Sequence, residues 1–127
     1  MENGKLIMKE NAVRDKSFAF ALRIVKLAKH LESEKREFVL SRQVLRSGTA
    51  IGALVREAEH AESKADFIHK LSIALKEANE TLYWLELLDR GEFITEGSFA
   101  SIGSDSAELI KLLAAIVKSA KAGKRSG

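Results

Sequence analysis

The strongest constraint on the fold is the spacing of small and apolar residues in the stretch 42–62. They recur at intervals of four, three, four and three residues, the spacing of a helix that packs against other helices. The positions are Val44, Gly48, Ile51, Val55 and Ala58. Because a helix advances by about 100° per residue, all five fall on one side of it. The stretch therefore predicts a helix with one buried face.

Three arginines of the same stretch, Arg42, Arg46 and Arg56, fall on the opposite side of this helix. The helix is thus expected to carry a second face made of guanidinium groups. Gly48 and Gly52 lie four residues apart within it. Since glycine in a helix interior costs about 1 kcal/mol relative to alanine, we expect a neighbouring backbone to come close there. Loose packing is the alternative.

Composition favours one helical domain. The chain has 127 residues, of which 46% are hydrophobic, and it contains neither proline nor cysteine. The strongest helix breaker is therefore absent, and disulfide or thiolate chemistry is excluded. The apolar run near the N-terminus is too short for a signal peptide, and no stretch approaches the length of a membrane span. A cytoplasmic location is expected.

The periodicity predicts an all-α chain in which short connections join antiparallel neighbours, that is, an up-down-up-down four-helix bundle. The four helices are expected at residues 13–31, 38–62, 64–90 and 105–120. Ser63 is expected to cap the third helix through the amide of Asp66, and Gly91 to follow its last turn. Glycine and serine at 92–104 predict a mobile connection. Residues 1–11 are expected to form a flexible arm and 121–127 a disordered basic tail.

The first helix offers two apolar strips for the core. The main strip is expected to comprise Phe18, Leu22, Val25, Ala28 and Leu31, with Phe20, Ile24 and Leu27 beside it. The third helix is expected to bury Phe67, Leu71, Ala74, Ala78, Leu82 and Leu85. The fourth is expected to bury Leu109, Ile110, Leu113, Ile116 and Val117.

Three separated segments carry a resemblance to a known family. They read KSFAFALRIVKLAKHL (16–31), RSGTAIGALVREA (46–58) and SKADFIHKLSIALKEANETLYWLELL (63–88). Together they resemble the bacterial four-helix-bundle family linked to intervening sequences of 23S rRNA genes. A related group, the accessory variability protein of diversity-generating retroelements, forms a pentameric barrel that binds a reverse transcriptase and nucleic acid. The resemblance therefore implies a homo-oligomer, a pentamer in that related group, that binds RNA or DNA or a larger protein partner.

Basic residues supply a candidate nucleic-acid surface, since lysine and arginine side chains bind phosphates. The candidates are Arg42, Arg46, Arg56, Arg23, Lys26, Lys121, Lys124 and Arg125. The net charge of only +3 leaves a second interpretation open. In that interpretation the arginines pair with Glu57, Glu59 or a neighbouring subunit, and the protein is a protein–protein scaffold.

The sequence carries more apolar surface than one bundle can bury, which favours self-association. The residues expected at an oligomer interface are Leu54, Ile73, Glu77 and Trp84. Glu77 is expected to pair with Arg46 or Arg56, in the same chain or in a neighbour.

Two sequence patterns could indicate a metal site or a reactive serine. Glu57 with His60 and Asp66 with His69 have the spacing of bundle metal ligands, but both histidines point away from the predicted core. Ser47 has no histidine within a helical turn. We therefore expect a protein that is not an enzyme and has neither metal nor cofactor.

Overall fold

The computed structural model describes the backbone of residues 2–126 and the side chains of residues 8–123. Its four α-helices are α1 (Glu2–Ser33), α2 (Val39–Glu59), α3 (Lys64–Arg90) and α4 (Glu96–Ser126). α1 and α3 each pack against both α2 and α4. Because the connections are short, consecutive helices run antiparallel. The predicted all-α four-helix bundle is confirmed.

The core lies where the heptad spacing of α2 predicts it. Val44, Gly48, Ile51, Val55 and Ala58 are all buried. On α3 the buried residues are Leu71, Ala74, Ala78, Thr81, Leu85 and Leu88. Phe67 and Leu82, which were also predicted to be buried, are only partly buried. On α4 the expected residues are buried except Ile110, which is half-buried. Three of the four helices therefore turn inward the side that their apolar spacing indicates.

The main strip predicted for α1 is confirmed at Ala28 and Leu31, which are buried, and is wrong in its first half. Phe18 and Leu22 are 52% and 50% exposed, whereas Phe20 and Ile24 of the second strip are buried. The buried side continues through Ser17, whose hydroxyl donates to the carbonyl oxygen of Arg14 at 3.1 Å. This bond allows a polar residue in the core, and a pattern of apolar residues alone cannot reveal it.

The helix ends are set by side-chain caps. Glu37 lies just before α2 and caps its first turn, since its carboxylate accepts from the amides of Val39 (2.8 Å) and Leu40 (2.9 Å). The predicted cap of α3 is confirmed, because the Ser63 hydroxyl accepts from the amide of Asp66 at 3.0 Å. Gly91 caps the other end of α3, but with φ −81°. The left-handed turn falls on Glu92 instead, with φ 66°.

The long mobile connection predicted at 92–104 is also wrong, because α4 begins at Glu96. Thr95 supplies the cap: its hydroxyl oxygen accepts from the amide of Ser98 at 3.0 Å, and its carbonyl accepts from Phe99 at 2.9 Å. Buried Ile102 and Ser106 then hold this first part of α4 in the core. Tertiary packing therefore overrides the weak helix preference of its glycines and serines.

Both terminal segments are helical, contrary to the predicted arm and tail. α1 includes residues 2–11, and α4 continues through residues 121–126. With no proline in the chain, extending a packed helix needs no new nucleation. Within the described part of the chain, no helix has an apolar stretch suited to crossing a bilayer.

Candidate nucleic-acid interface

The three arginines of α2 are all exposed, but they do not form one continuous face. Arg46 and Arg56 lie about 40° to either side of Arg42 on the helix. Arg46 therefore leans towards α3 and Arg56 towards α1, while Arg42 stands between them. The predicted guanidinium face is divided by its two neighbouring helices.

Arg46 forms an ion-pair network with α3. Its Nη1 lies 3.2 Å from Oε1 of Glu77, and its Nη2 donates to Glu80. The indole nitrogen of Trp84 donates to the same Glu80 carboxylate at 3.0 Å. The expected pairing of Glu77 with Arg46 is thus confirmed within one chain. Two carboxylates partly neutralise Arg46, which leaves it poorly suited to bind a phosphate.

Arg56 and Arg42 have different surroundings. The guanidinium of Arg56 lies 5.3 Å from the ring centroid of Phe18, a cation–π contact that keeps its charge available. Arg42 makes no ion pair or side-chain hydrogen bond among the described residues. Neither arginine pairs with Glu57 or Glu59: Glu57 bonds Lys70, and Glu59 lies 3.8 Å from Arg14.

Of the two α1 candidates, Arg23 is bound to α4 and Lys26 is not. The Nη1 of Arg23 lies 2.6 Å from Oδ2 of Asp105, and its Nη2 donates to the Ser101 hydroxyl at 2.9 Å. Arg23 therefore holds α1 against α4. Lys26 is exposed and has no ion pair with any described residue.

Lys121 is exposed near the end of α4, close to the start of α3. The antiparallel topology places it at the opposite end of the bundle from Arg42 and Lys26. The side chains of Lys124 and Arg125 lie outside the described residues. The structure therefore does not bring the tail candidates together with those of α1 and α2.

Several basic residues lie at the end of the bundle that holds the α1–α2 connection. Two of them, Lys26 and Arg42, were predicted from the sequence, and Lys29 and Lys35 were not. The Ser41 hydroxyl bonds the carbonyl of Ala28 (3.3 Å) and the carboxylate of Glu32 (2.7 Å), so the start of α2 lies beside the end of α1. We call four exposed cations of this end the loop-end cluster: Lys26, Lys29, Lys35 and Arg42. Arg36, which lies over the Phe38 ring, and Arg90 are exposed at the same end. None of the four has an ion-pair partner within residues 8–123. Lys29 lies on α1 and Lys35 in the connection that follows it, and the fold places both at the same end of the bundle as Arg42.

The predicted interface residues lie on α2 and α3. Leu54 and Trp84 are partly buried and pack against the core of their own chain. Ile73 and Glu77 are half-buried, and Glu77 is held by Arg46. Larger exposed apolar side chains occur elsewhere, on α1 (Phe18, Leu22), at the start of α2 (Phe38, Val39) and on α3 (Tyr83, Leu87).

The candidate metal ligands and the candidate reactive serine lie in ordinary surroundings. His60 and His69 are exposed. Across the described residues, no group of three or more histidine, aspartate or glutamate side chains is placed to hold a metal ion. The buried Ser47 hydroxyl accepts from the Thr81 hydroxyl at 2.8 Å and donates to the carbonyl of Gln43 at 3.1 Å. Its role here is to join α2 to α3.

Two titratable groups within residues 8–123 have a shifted pKa, and both lie away from the loop-end cluster. Partial burial, reinforced by the negative charge of Glu59, raises the pKa of Glu10. The hydrogen bond from Lys70 Nζ to Glu57, 3.0 Å long, raises the pKa of Lys70. The first shift comes from burial and repulsion between two carboxylates, and the second from an ion pair between α2 and α3.

The fold defines a small antiparallel four-helix-bundle protein. Residues 9–115 match the family of 23S rRNA-intervening sequence proteins. The chain belongs to that family, as the resemblance predicted.

A solved structure is closely similar. It is the 1.70 Å crystal structure of a protein with unknown function from the S23 ribosomal protein family of Bacteroides thetaiotaomicron VPI-5482. The two sequences are 63% identical, the match covers 87% of this chain and 98% of that one, and the TM-score is 0.86. No curated protein is similar to this sequence.

Proposed function

We propose that this protein is a non-enzymatic, oligomeric helical bundle that binds RNA or another nucleic acid through the loop-end cluster. The observation that carries the proposal is that Lys26, Lys29, Lys35 and Arg42 lie at one end of the bundle without ion-pair partners among the described residues. Arg23 and Arg46, in contrast, are paired within the chain. The four side chains of the cluster are therefore available to contact phosphates.

Family membership supports the same proposal. The family is described by its relation to an intervening sequence of 23S rRNA, and the similar crystal structure belongs to a family described as ribosomal. In this proposal the protein acts as an adaptor that brings nucleic acid to a larger partner, as the resemblance to the retroelement accessory protein implies.

Filter binding with single-stranded RNA tests the proposal. We expect retention at low salt and a steep loss of affinity as the salt concentration rises, because each phosphate contact releases counterions. Absence of RNA and DNA retention at low salt would overturn the proposal.

Self-association is the second part of the proposal. Phe18 and Leu22 lie side by side on α1, and each leaves half of its surface exposed. Exposed apolar patches on small proteins commonly mark contacts with another chain. A second copy that covers this patch would account for apolar surface that the single bundle leaves outside its core.

The same patch favours a second candidate function, a protein–protein scaffold with no role in nucleic-acid binding. The two functions differ in one measurable respect. A protein partner that co-purifies unchanged after nuclease treatment, from a bundle that does not retain RNA, would favour the scaffold.

A further inference from the structure

A large cavity opens at the same end of the bundle as the loop-end cluster. It lies between α1, the connection from α3 to α4, and the first turns of α4, and its volume is about 700 Å³. This volume falls within the range of small-molecule sites, about 300–1,000 Å³. The cavity is therefore large enough for a ligand the size of a nucleotide.

The rim of this cavity is positively charged. Lys26, His30 and Lys35 line it, and no hydrogen bond or ion pair to a described residue occupies any of these three side chains. Arg23 forms one wall, although Asp105 holds it. Glu92 is the one acidic residue of the lining, and Asp105 offsets the charge of Arg23, so the unpaired charges of Lys26 and Lys35 face one negative charge. An anionic ligand complements this rim.

The floor of the cavity is apolar. Ile102 is buried, and Leu27, Phe93 and Ile94 are partly buried against the core. Inorganic phosphate alone would leave these side chains uncovered. A ligand that also carries a flat apolar group would cover them, and each apolar Å² removed from water contributes about 25 cal/mol.

We infer that this cavity binds an organic phosphate monoester with a planar apolar group, such as a nucleoside monophosphate. Lys26, Lys35 and His30 hold the phosphate, and the planar group lies on Leu27, Phe93 and Ile94. A phosphate monoester carries about −1.5 to −2 charges at pH 7, and the unpaired charges of Lys26 and Lys35 are of the opposite sign. The inference goes beyond the proposed function, because a free mononucleotide needs only the cavity.

The same ligand chemistry has two sources, a free mononucleotide and the phosphorylated end of a strand. Lys29 and Arg42 belong to the loop-end cluster but do not line the cavity. Their substitution therefore separates the two claims: it should weaken RNA binding and leave binding of a mononucleotide unchanged.

The test is a titration of the full chain with adenosine 5′-monophosphate, followed by amide NMR shifts. We expect saturable shifts at Leu27, Phe93 and Ile102, and at least tenfold weaker binding of adenosine or inorganic phosphate. The exposed double substitution Lys26→Glu with Lys35→Glu should lower affinity at least tenfold. The matched control Lys111→Glu, on the outer side of α4, should leave affinity unchanged.

Any one of three results would overturn the inference. The mononucleotide gives no saturable shifts, Lys111→Glu lowers its affinity as much as the Lys26→Glu, Lys35→Glu double substitution does, or inorganic phosphate binds as tightly as the mononucleotide. Competition experiments then distinguish the sources. If a 5′-phosphorylated RNA displaces adenosine monophosphate and its 5′-hydroxyl form does not, the cavity holds a strand end. If neither displaces it, the ligand is a free mononucleotide.

Discussion

Gly48 of α2 lies directly against Ile24 of α1. A Cβ atom added to Gly48 would lie 2.8 Å from Cγ1 and 2.9 Å from Cγ2 of Ile24, closer than carbon atoms pack. Ile24 is fully buried, and its branched side chain has one strongly preferred rotamer in a helix. The prediction that a neighbouring backbone comes close is wrong at Gly48, where the side chain of Ile24 fills the space, whereas backbone atoms of Ser17 lie nearest to Gly52.

The two glycines of α2 should respond oppositely to substitution by alanine. Gly48→Ala should destabilise the protein by about 1 kcal/mol. Overpacking costs about 1–3 kcal/mol, and the higher helix propensity of alanine offsets about 1 kcal/mol of this cost. At Gly52 the nearest atom to an added Cβ is the Ser17 carbonyl oxygen at 3.4 Å, an ordinary contact. Gly52→Ala should therefore stabilise by up to about 1 kcal/mol.

Guanidinium chloride unfolding of both variants at one fixed protein concentration measures this difference. Equal effects of the two substitutions, or a Gly48→Ala variant more stable than the unmodified protein, would contradict the packing described for α1 and α2.

Two buried serines provide a second matched comparison. The Ser47 hydroxyl accepts from Thr81 and donates to the carbonyl of Gln43, whereas the Ser106 hydroxyl has no partner among the described residues. Removing a paired hydroxyl costs about 1 kcal/mol, while removing an unpaired buried one relieves its desolvation penalty. Ser47→Ala should therefore be less stable than Ser106→Ala by at least about 1 kcal/mol, measured by thermal unfolding. The reverse order would contradict the contact between α2 and α3.

Glu10 should make stability depend on pH. Because burial and Glu59 raise its pKa in the folded state, the native protein retains a proton that the unfolded chain releases. Stability from Glu10 is therefore lost as the pH rises above 4.5 and through the folded pKa. Glu10→Gln should reduce the fall in Tm over that window, and the exposed control Glu86→Gln should not. A steeper fall for Glu10→Gln would contradict the sign of this shift.

A closed ring of subunits, the form that the resemblance to the pentameric barrel implies, predicts a complementation result. A closed ring larger than a dimer joins two different surfaces of each subunit. We expect Leu22→Asp on α1 and Ile73→Asp on α3 each to yield monomers in light scattering. A mixture of the two variants should form dimers, because one intact interface remains. Ala107→Asp on the exposed side of α4 should leave the assembly unchanged.

If Leu22→Asp and Ile73→Asp both retain the mass of the unmodified assembly, these surfaces do not form the interface. If the mixture stays monomeric, the two surfaces do not face each other in neighbouring subunits.

The sequence was most informative where local pattern and packing agree. The heptad spacing of α2 predicted its buried face, and Ser63 with Asp66 predicted the start of α3. The errors occurred where polar contacts decide the outcome. A bonded serine at position 17 shifted the buried side of α1, and the Thr95 cap started α4 well before the predicted residue.

The candidate site was partly predictable for a similar reason. Helical spacing placed Arg42 and Arg56 on the surface. It also named Arg46 or Arg56 as the partner of Glu77, and the structure shows Arg46 in that position. The gathering of Lys29 and Lys35 beside Arg42 depends on how two helices meet at their connection. A pattern along one helix does not contain that information.

The most direct test of the account is RNA affinity as a function of salt concentration, measured for Lys29→Ala with Arg42→Ala and for Arg46→Ala. For a single strand, each lost phosphate contact should reduce the slope of log affinity against log salt by about 0.7. The account predicts a shallower slope and weaker binding for the double variant, and nearly unchanged binding for Arg46→Ala. Unchanged slope and affinity in the double variant would contradict it.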